Sequence, residues 1–338
     1  MKKIAIWNNY TTFAQNKAFD PTAYGIGEDL GWPVIHLKDE LERKGYVVET
    51  LDMDKTENYE KIVFLDYPNP ETCCYNVHSI PKEKKYLVLT ECEIIYKENN
   101  MPSLYNDFNK VFAYNDNLVK EHGYIKLNLP NKLKTPLFVP FSQKKICTMI
   151  AGNKKSRETG ELYSARYEAI KYFEKKHRSD FDLYGMGWNT FRFTGPKLIR
   201  GLNRVPGLTK LFAQKHPCYK GKVDKKLQVL SQYKFAICYE NSCIIPGYIS
   251  EKIWDCFFSG CVPVYWGAPN VSDYIPKNCY IDKRNFSTYE DLYNYIKNMT
   301  ESDYNAYLKA AKDFIASDKA YPFSGECFAD TLIREMDL

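Results

Sequence analysis

Short apolar runs that end in polar residues recur along the first half of the chain. Five of these runs are predicted to be buried strands: residues 2–7, 46–51, 61–66, 85–90 and 110–115. Residues 32–45 instead predict a helix, which Gly45 would end. Strands that alternate with helical segments are typical of a parallel sheet with helices on both faces. The first half is therefore predicted to be an α/β domain.

A second series of the same kind begins near residue 145. Its predicted strands are residues 145–152, 181–185, 234–239 and 261–266, and its predicted helices are 161–177, 224–233 and one starting near Ser250. We expect two α/β domains, residues 1–142 and 143–315, and a tail, 316–338, that could pack back on the first domain. Ligands of such sheets bind at the carboxyl ends of the strands, which line the cleft between two facing domains.

Composition adds limits on the class of protein. Hydrophobic residues make up 44% of the chain and charged residues 26%, which is ordinary for a globular protein. The first apolar run stops after Trp7, too early for a signal peptide or an anchor, and no later run approaches the roughly twenty residues of a spanning helix. Any contact with a membrane is therefore expected to be peripheral.

The net charge and the cysteine content bear on nucleic-acid binding, zinc binding and the cellular compartment. The net charge of +5 is too mild to indicate nucleic acid as a partner. Eleven cysteines without a CxxC pair, and only five histidines, do not match the spacing of zinc ligands. The sequence predicts reduced, mostly buried thiols and a cytoplasmic protein.

Four polar residues, Glu240, Asn241, Glu251 and Lys252, lie between two buried strands. Ser250 is suited to cap a helix, which places Glu251 and Lys252 in its first turn. A lysine there is unfavourable with the helix dipole by roughly 0.3–1 kcal/mol, unless an anionic ligand sits at the same helix end. We therefore expect Lys252 to bind a phosphate and not to hold the fold together.

The stretches "YKFAICYENS" and "GYISEKIWDCFFSGCVPVYWGAP" carry a resemblance to a known family. They are similar to the donor-binding motif of the bacterial-type α-1,3-fucosyltransferase family (glycosyltransferase family ten), a YKF-x-x-x-x-EN…Y-x-T/S-EK pattern followed by G-x-x-P-V-x-x-G. Weaker similarity covers "CTMIAGNKKS", Arg166 and "YLVLTECEIIYKENN". The resemblance implies an α/β protein of GT-B type, with two Rossmann-like domains facing across a cleft.

The resemblance also implies roles for residues of the second domain. GDP-fucose would be the donor substrate, with Lys252 and Arg166 neutralising its diphosphate. Asn241, Tyr248 and Glu251 would hold the ribose, the sugar or nearby backbone. A guanidinium pairs two phosphate oxygens and an ammonium supplies a point charge, so the leaving GDP would be stabilised without a metal or another cofactor.

Transfer with inversion needs a carboxylate that takes the proton of the acceptor hydroxyl. Family members carry this glutamate after a strand of the first domain, in an E-S-P or E-P-P context. Aligning the apolar pair Ile94-Ile95 puts Glu91 on the base and Glu93 on the family's proline. Glu93 therefore stays an alternative, and two enclosed carboxylates would raise each other's pKa.

The function implied is transfer of L-fucose to a hydroxyl of an oligosaccharide or glycolipid acceptor, in an α-1,3 or α-1,4 linkage. Synthesis of lipopolysaccharide or another surface glycan, or protein glycosylation, at the inner face of the membrane would be the setting, with no nucleic acid as partner. The alternatives are a transferase of the same fold that uses another GDP-sugar, and a catalytically inactive nucleotide-binding protein.

Two other features allow different interpretations. Asp52/Asp54 and Asp180/Asp182 form DxD-like pairs, which in other glycosyltransferases chelate Mn²⁺ on the diphosphate. Residues 192–215 are basic and interrupted by glycine and proline, so we expect an excursion from the sheet. That excursion could touch an anionic lipid-linked acceptor or be a solvated loop.

Overall fold

The structure is a computed structural model that describes residues 2–24, 29–69, 73–193, 195–205 and 207–338. Its first sheet has six parallel strands: β1 (Lys3–Asn8), β2 (Val47–Thr50), β3 (Lys61–Leu65), β4 (Lys85–Val88), β5 (Lys110–Ala113) and β6 (Ile125–Lys126). Their order across the sheet is β2-β1-β3-β4-β5-β6. The parallel arrangement directs the carboxyl ends of all six strands to one edge.

The second sheet also has six parallel strands. They are β7 (Lys145–Ile150), β8 (Phe181–Tyr184), β9 (Tyr219–Gly221), β10 (Tyr233–Tyr239), β11 (Val262–Trp266) and β12 (Ile281–Asp282). Their order is β12-β11-β10-β7-β8-β9. The strands predicted from apolar runs are all present in the two sheets, and the short strands β6, β9 and β12 were missed because two or three residues give no pattern.

Ten α-helices are found in the described ranges: α1 (Trp32–Arg43), α2 (Asp116–His122), α3 (Tyr163–Lys176), α4 (Lys197–Gly201), α5 (Leu208–Leu211), α6 (Lys226–Leu230), α7 (Glu251–Phe258), α8 (Tyr289–Lys297), α9 (Glu301–Ile315) and α10 (Gly325–Glu335). The connections from β2 to β5 contain short 3-10 turns where a regular alternation would place helices. None of the helices in these ranges is long and apolar enough to cross a membrane.

Alternating side chains bury both faces of each sheet. In β1, Ile4 and Ile6 face a core shared with α1 and α10, whereas Ala5 and Trp7 face a core under the 3-10 turns. The same period of two in β10 sends Phe235 to the layer of α3 and α8. Both sheets are therefore buried on both faces, as parallel sheets require.

The C-terminal helix returns to the first sheet. Asn131 and the chain at 323–325 exchange two backbone hydrogen bonds, from Asn131 N to Phe323 O at 2.7 Å and from Gly325 N to Asn131 O at 2.9 Å. Phe328 and Leu332 of α10 are buried in the core beside α1. Residues far apart in the chain thus close one face of the first sheet.

Candidate active site

The loop that follows β10 inserts into the first domain. Ile245 and Tyr248 are each only 2% exposed, and they belong to the apolar core of the first sheet together with Leu89, Cys92 and Tyr114. The rings of Tyr248 and Tyr114 lie 5.3 Å apart. This insertion brings the start of α7 to the carboxyl edge of the first sheet.

Gly247 makes the insertion sterically possible. Its φ is +79°, a left-handed conformation that side chains with a Cβ rarely adopt. A Cβ at this position would lie 2.4 Å from the carbonyl oxygen of Tyr114 and 2.7 Å from Lys126 Nζ. The glycine therefore provides both the turn and the close approach of the two domains.

The N-terminus of α7 is organised by a buried carboxylate. Glu240, at the end of β10 and 0% exposed, accepts hydrogen bonds from Ser250 N at 2.8 Å and Ser250 Oγ at 2.7 Å. Lys252 Nζ lies 3.2 Å from Glu240 Oε2 and 2.9 Å from Ser250 Oγ. The sequence-based expectation for Lys252 therefore lacked one partner: its charge also balances a buried glutamate, which local sequence reasoning did not include.

Charges around this helix end strongly shift the pKa of the Glu251 carboxyl. Burial acts to raise the pKa of Glu251, but the charges of Lys252 and Lys226 outweigh it and lower that pKa to about 2. Burial acts to lower the pKa of Lys252, and the charges of Glu240 and Glu251 raise it overall. Lys252 is consequently a fixed cation, and its side chain is 24% exposed.

A hydrogen-bonded chain joins Arg166, Asn241 and Tyr248. Arg166 on α3 is 5% exposed, and its Nη2 donates to Tyr239 O at 2.7 Å and to Asn241 Oδ1 at 3.0 Å. Asn241 Nδ2 donates to the hydroxyl of Tyr248 at 3.1 Å. Tyr248, expected to hold the ribose, sugar or nearby backbone, is buried at the contact between the domains, and its hydroxyl accepts the hydrogen bond of the Asn241 amide.

Glu91 lies after β4 and faces the second domain. Its Oε1 accepts a hydrogen bond from the hydroxyl of Tyr10 at 3.3 Å, and its carbonyl oxygen accepts from Tyr114 at 3.1 Å. Burial, together with the charges of Asp66 and Glu251, raises the pKa of Glu91 to about 7, against the opposing effect of Lys252. A carboxyl that titrates near neutral pH is suited to accept a proton.

Glu93 differs from Glu91 in its surroundings. It is half-buried, and burial raises its pKa with only its own backbone N–H acting in the opposite direction. Its charge acts on the hydroxyls of Tyr105 and Tyr114, which belong to the core of the first domain. Of the two carboxylates, Glu91 is the one in the field of the helix end at Lys252.

Asp66 holds the loop that carries Glu91. This buried residue has a φ of +66°, and it accepts hydrogen bonds from Thr90 N at 2.6 Å, Thr90 Oγ1 at 2.7 Å, Glu91 N at 3.0 Å and Asn99 Nδ2 at 2.6 Å. Burial raises the pKa of Asp66 in spite of these bonds. All four partners are donors, which is the environment of an ionised carboxylate.

The DxD-like pairs are occupied by protein partners. Asp54 binds Lys3 Nζ at 2.7 Å, and this bond lowers the pKa of Asp54 to about 2. Asp180 binds Lys297 Nζ at 2.7 Å and Asp182 binds Lys145 Nζ at 2.9 Å. No cluster of three or more potential metal ligands occurs among the residues that the structure describes.

Four residues of the site were given no role from the sequence: Tyr10, Asp66, Lys154 and Glu240. Lys154 is exposed on the loop after β7, and its charge acts on Glu91. Each of the four follows a strand at its carboxyl end, the edge where ligands of parallel sheets bind. That position is the signal that could have identified them.

The two facing parallel sheets, with ionisable side chains gathered where their strands end, define the fold class as a GT-B glycosyltransferase. The family model "Glycosyltransferase family 10 (fucosyltransferase) C-term" matches residues 144–326. This chain belongs to glycosyltransferase family 10, which confirms the resemblance found in its motifs. The match covers the whole second sheet, whereas Glu91 and the first sheet lie outside it.

Individual proteins of known class are similar over shorter segments. The α-(1,3)-fucosyltransferase FucT of Helicobacter pylori is 41% identical over 87 residues, 25% of this chain and 18% of that protein. The GDP-fucose protein O-fucosyltransferase 3 of Gallus gallus is 41% identical over 85 residues, 24% of this chain and 18% of that protein. These alignments thus span under a fifth of the length of the curated relatives.

One solved structure similar to the whole chain is an α1,3-fucosyltransferase crystallised with GDP-fucose. It superimposes with a TM-score of 0.54 at 16% sequence identity, covering 100% of this chain and 90% of that one. At this identity the likeness supports the shared fold.

Replacing Lys252 by Met is expected to lower both stability and GDP affinity. The buried Glu240 would lose its counter-charge, which costs about 2–4 kcal/mol of unfolding free energy for a partly exposed pair. The double variant Glu240→Gln/Lys252→Met removes both charges, so it should regain much of the melting temperature but not the GDP affinity. Thermal unfolding and calorimetric titration with GDP measure the two effects. If the double variant binds GDP like the wild type, Lys252 acts on the fold alone.

Glu91 is expected to titrate near pH 7, and Asp66→Asn should lower that midpoint because it removes a neighbouring negative charge. Carbon-13 NMR of labelled glutamate carboxyls measures the titration, with the signal assigned by its disappearance in Glu91→Gln. Asp52→Asn is the matched control, since Asp52 is exposed on the same domain and should leave the midpoint unchanged. A midpoint near the ordinary glutamate value in the wild type would contradict this account of the site.

Proposed function

We propose that this protein transfers L-fucose from GDP-fucose to a hydroxyl of a glycan acceptor with inversion at the sugar carbon. The observation that carries the proposal is the position of Glu91, a carboxyl with a pKa of about 7, across from the cationic helix end at Lys252. Membership of a family described as fucosyltransferase supports fucose as the sugar.

In the proposed reaction the two domains have separate tasks. Glu91 takes the proton of the acceptor hydroxyl while that oxygen forms a bond to the anomeric carbon. The bond from this carbon to the β-phosphate oxygen breaks, and its electron pair leaves with GDP. Lys252, with Arg166 behind Asn241, stabilises the negative charge that develops on the diphosphate. The exposed Lys154 lies on the same edge and adds a further cation.

The remaining second-domain residues are assigned to donor binding. Glu251 stays ionised at neutral pH because its pKa is about 2, so it can accept hydrogen bonds from hydroxyls of the ribose or the sugar. Asn241 is half-buried and contributes its amide beside this helix end, held by Tyr248. With cations supplied by side chains, the proposed mechanism needs no metal.

The acceptor is proposed to be an oligosaccharide or glycolipid that forms an α-1,3 or α-1,4 linkage. A role in the synthesis of lipopolysaccharide or another surface glycan at the inner face of the membrane fits a chain with basic surface segments. A different GDP-sugar, or nucleotide binding without turnover, are the competing functions. Release of GDP from a panel of GDP-sugars separates them.

Glu91→Gln should remove most fucose transfer while donor binding and melting temperature stay close to those of the wild type. The amide keeps the size of the side chain but cannot accept a proton, and positioned general bases contribute roughly 10²–10⁴-fold. In the wild type, kcat/KM should fall as the pH decreases below about 7, since the base must be ionised to act. Steady-state transfer kinetics across pH provide the measurement.

Glu93→Gln is the matched control for this base. It should retain activity and the same dependence on pH, because Glu93 lies in the environment of Tyr105 and Tyr114. An inactive Glu93→Gln beside an active Glu91→Gln would move the catalytic role by two residues. Full activity of both variants would refute a carboxylate base in this loop.

Turnover of GDP-fucose should exceed that of other GDP-sugars and should persist in EDTA. Release of GDP from a panel of GDP-sugars, with and without chelator, measures both properties, since slow hydrolysis needs no known acceptor. Loss of turnover in EDTA and recovery with Mn²⁺ would support metal chelation by a carboxylate pair. GDP binding without release from any sugar would support an inactive nucleotide-binding protein.

A further inference from the structure

The segment between β8 and β9 carries a concentration of positive charge. Residues 183–223 contain eight lysines and arginines and no aspartate or glutamate. Lys220, which pairs with Asp182 at 3.3 Å, is the one base of this segment that forms an ion pair within the described ranges. The other seven have exposed side chains: Arg192, Lys197, Arg200, Arg204, Lys210, Lys215 and Lys222. Their charge is therefore available to an external anion.

The same segment exposes large apolar side chains. Leu198 is 90% exposed and Leu211 is 78% exposed. Four neighbours are also exposed: Ile199, Leu202, Val205 and Phe212. Single exposed apolar residues are common on protein surfaces, but such a group within fifteen residues (198–212) indicates an interaction surface.

The described residues of the segment make contacts with one another. The ring of Phe193 lies 4.9 Å from Phe191 and 5.7 Å from Phe212 in edge-on contacts. Asn203 accepts a hydrogen bond from Phe193 N at 2.9 Å and donates one to Phe193 O at 2.8 Å. The aromatic rings thus pack on one another, and the aliphatic side chains of α4 and α5 are left outside that contact.

The location of the segment relates it to the cleft. It leaves β8 at the carboxyl end of the strand, which is the sheet edge that also carries Lys154 and Asn241. Asn153 holds the start of this segment in place. Its backbone N donates a hydrogen bond to Met186 O at 2.8 Å, and its Nδ2 donates one to Gly187 O at 3.0 Å. The basic and apolar surface therefore emerges beside the candidate active site.

We propose that the described residues of the segment 191–215 bind the surface of an anionic lipid bilayer. The bases would lie among the headgroups, and Leu198 and Leu211 would enter the boundary of the acyl chains. A second copy of this chain fits poorly, because the segment 191–215 has no acidic residue to face its own six bases. Nucleic acid would match the charge but leave the aliphatic side chains unexplained.

This surface would hold the opening of the cleft close to the membrane. A lipid-linked acceptor could then reach Glu91 without leaving the bilayer, a consequence that rests on the proposed function. Binding to the bilayer itself does not rest on it. The two proposals can therefore fail separately, since vesicle binding is measured without donor or acceptor.

The test is co-sedimentation of the full chain with vesicles of phosphatidylcholine, with or without phosphatidylglycerol. We expect binding to the vesicles that contain phosphatidylglycerol, weakening with added salt. Leu198→Ser/Leu211→Ser should lower the affinity on the order of tenfold or more, because both side chains lose their apolar contact. Arg200→Gln/Arg204→Gln/Lys210→Gln should lower it on the order of a hundredfold.

Phe138→Ser is the matched control, since Phe138 is 81% exposed but lies outside the segment. It should bind vesicles like the wild type, and unchanged GDP binding in every variant would show an intact fold. Equal binding to both kinds of vesicle, or wild-type affinity in both segment variants, would overturn the proposal. So would binding to duplex DNA without vesicle binding, or a dimer in sedimentation that Leu198→Ser/Leu211→Ser dissociates while vesicles stay unbound.

Discussion

Burial of Ile245 and Tyr248 in the first domain is the constraint on which the candidate site depends. Burial of each of these side chains contributes roughly 1.5–3 kcal/mol to the free energy of folding, and Gly247 between them lets the backbones of the two domains come into contact. Asn241 precedes this insertion and Ser250 follows it, so the position of the loop also fixes the amide and the helix end. A domain contact made by apolar residues thereby sets the distance between the cations of one domain and the carboxylate of the other.

The electrostatics of the site follow from this arrangement. Glu91 and Glu251 both lie in the field of Lys252, yet the pKa of Glu91 is raised to about 7 and that of Glu251 is lowered to about 2. Burial acts to raise both pKa values. For Glu91 the charges of Asp66 and Glu251 add to this effect, whereas for Glu251 the charges of Lys252 and Lys226, with hydrogen bonds from its own N–H and from Ser250, outweigh it. Proteins that use one carboxyl as a proton acceptor and another as a permanent anion place the two in different environments, which separates their pKa values. The same cation that stabilises Glu240 is proposed to meet the diphosphate, so stability and donor binding share one side chain.

Much of the fold could be predicted from the sequence, because parallel strands buried on both faces leave continuous apolar runs such as 61–66 and 234–239. The helix end at Lys252 could also be predicted, since a cap and a first turn are local features. The ion pair of Lys252 with Glu240 could not, because it depends on how β10 and α7 pack. The hydrogen bonds that Asp66 accepts come from residues 24 to 33 positions away in the chain, and no local pattern encodes such bonds. The burial of Tyr248 depends on the other domain, which a motif within one domain does not describe.

The first and second domains position their parts of the candidate site with different structural elements. The family match begins at residue 144, so it covers the part of the site at the start of α7 and does not extend to Glu91. In the first domain the site is lined by loops and 3-10 turns after β1, β3 and β4, where Tyr10 reaches Glu91. Loops on a rigid sheet can change without disturbing its core. The relatives that match this chain are named for an α-(1,3) linkage and for protein O-fucosylation. If Glu91 is the base, as proposed, the loops around it are where a difference in the approaching hydroxyl would be encoded.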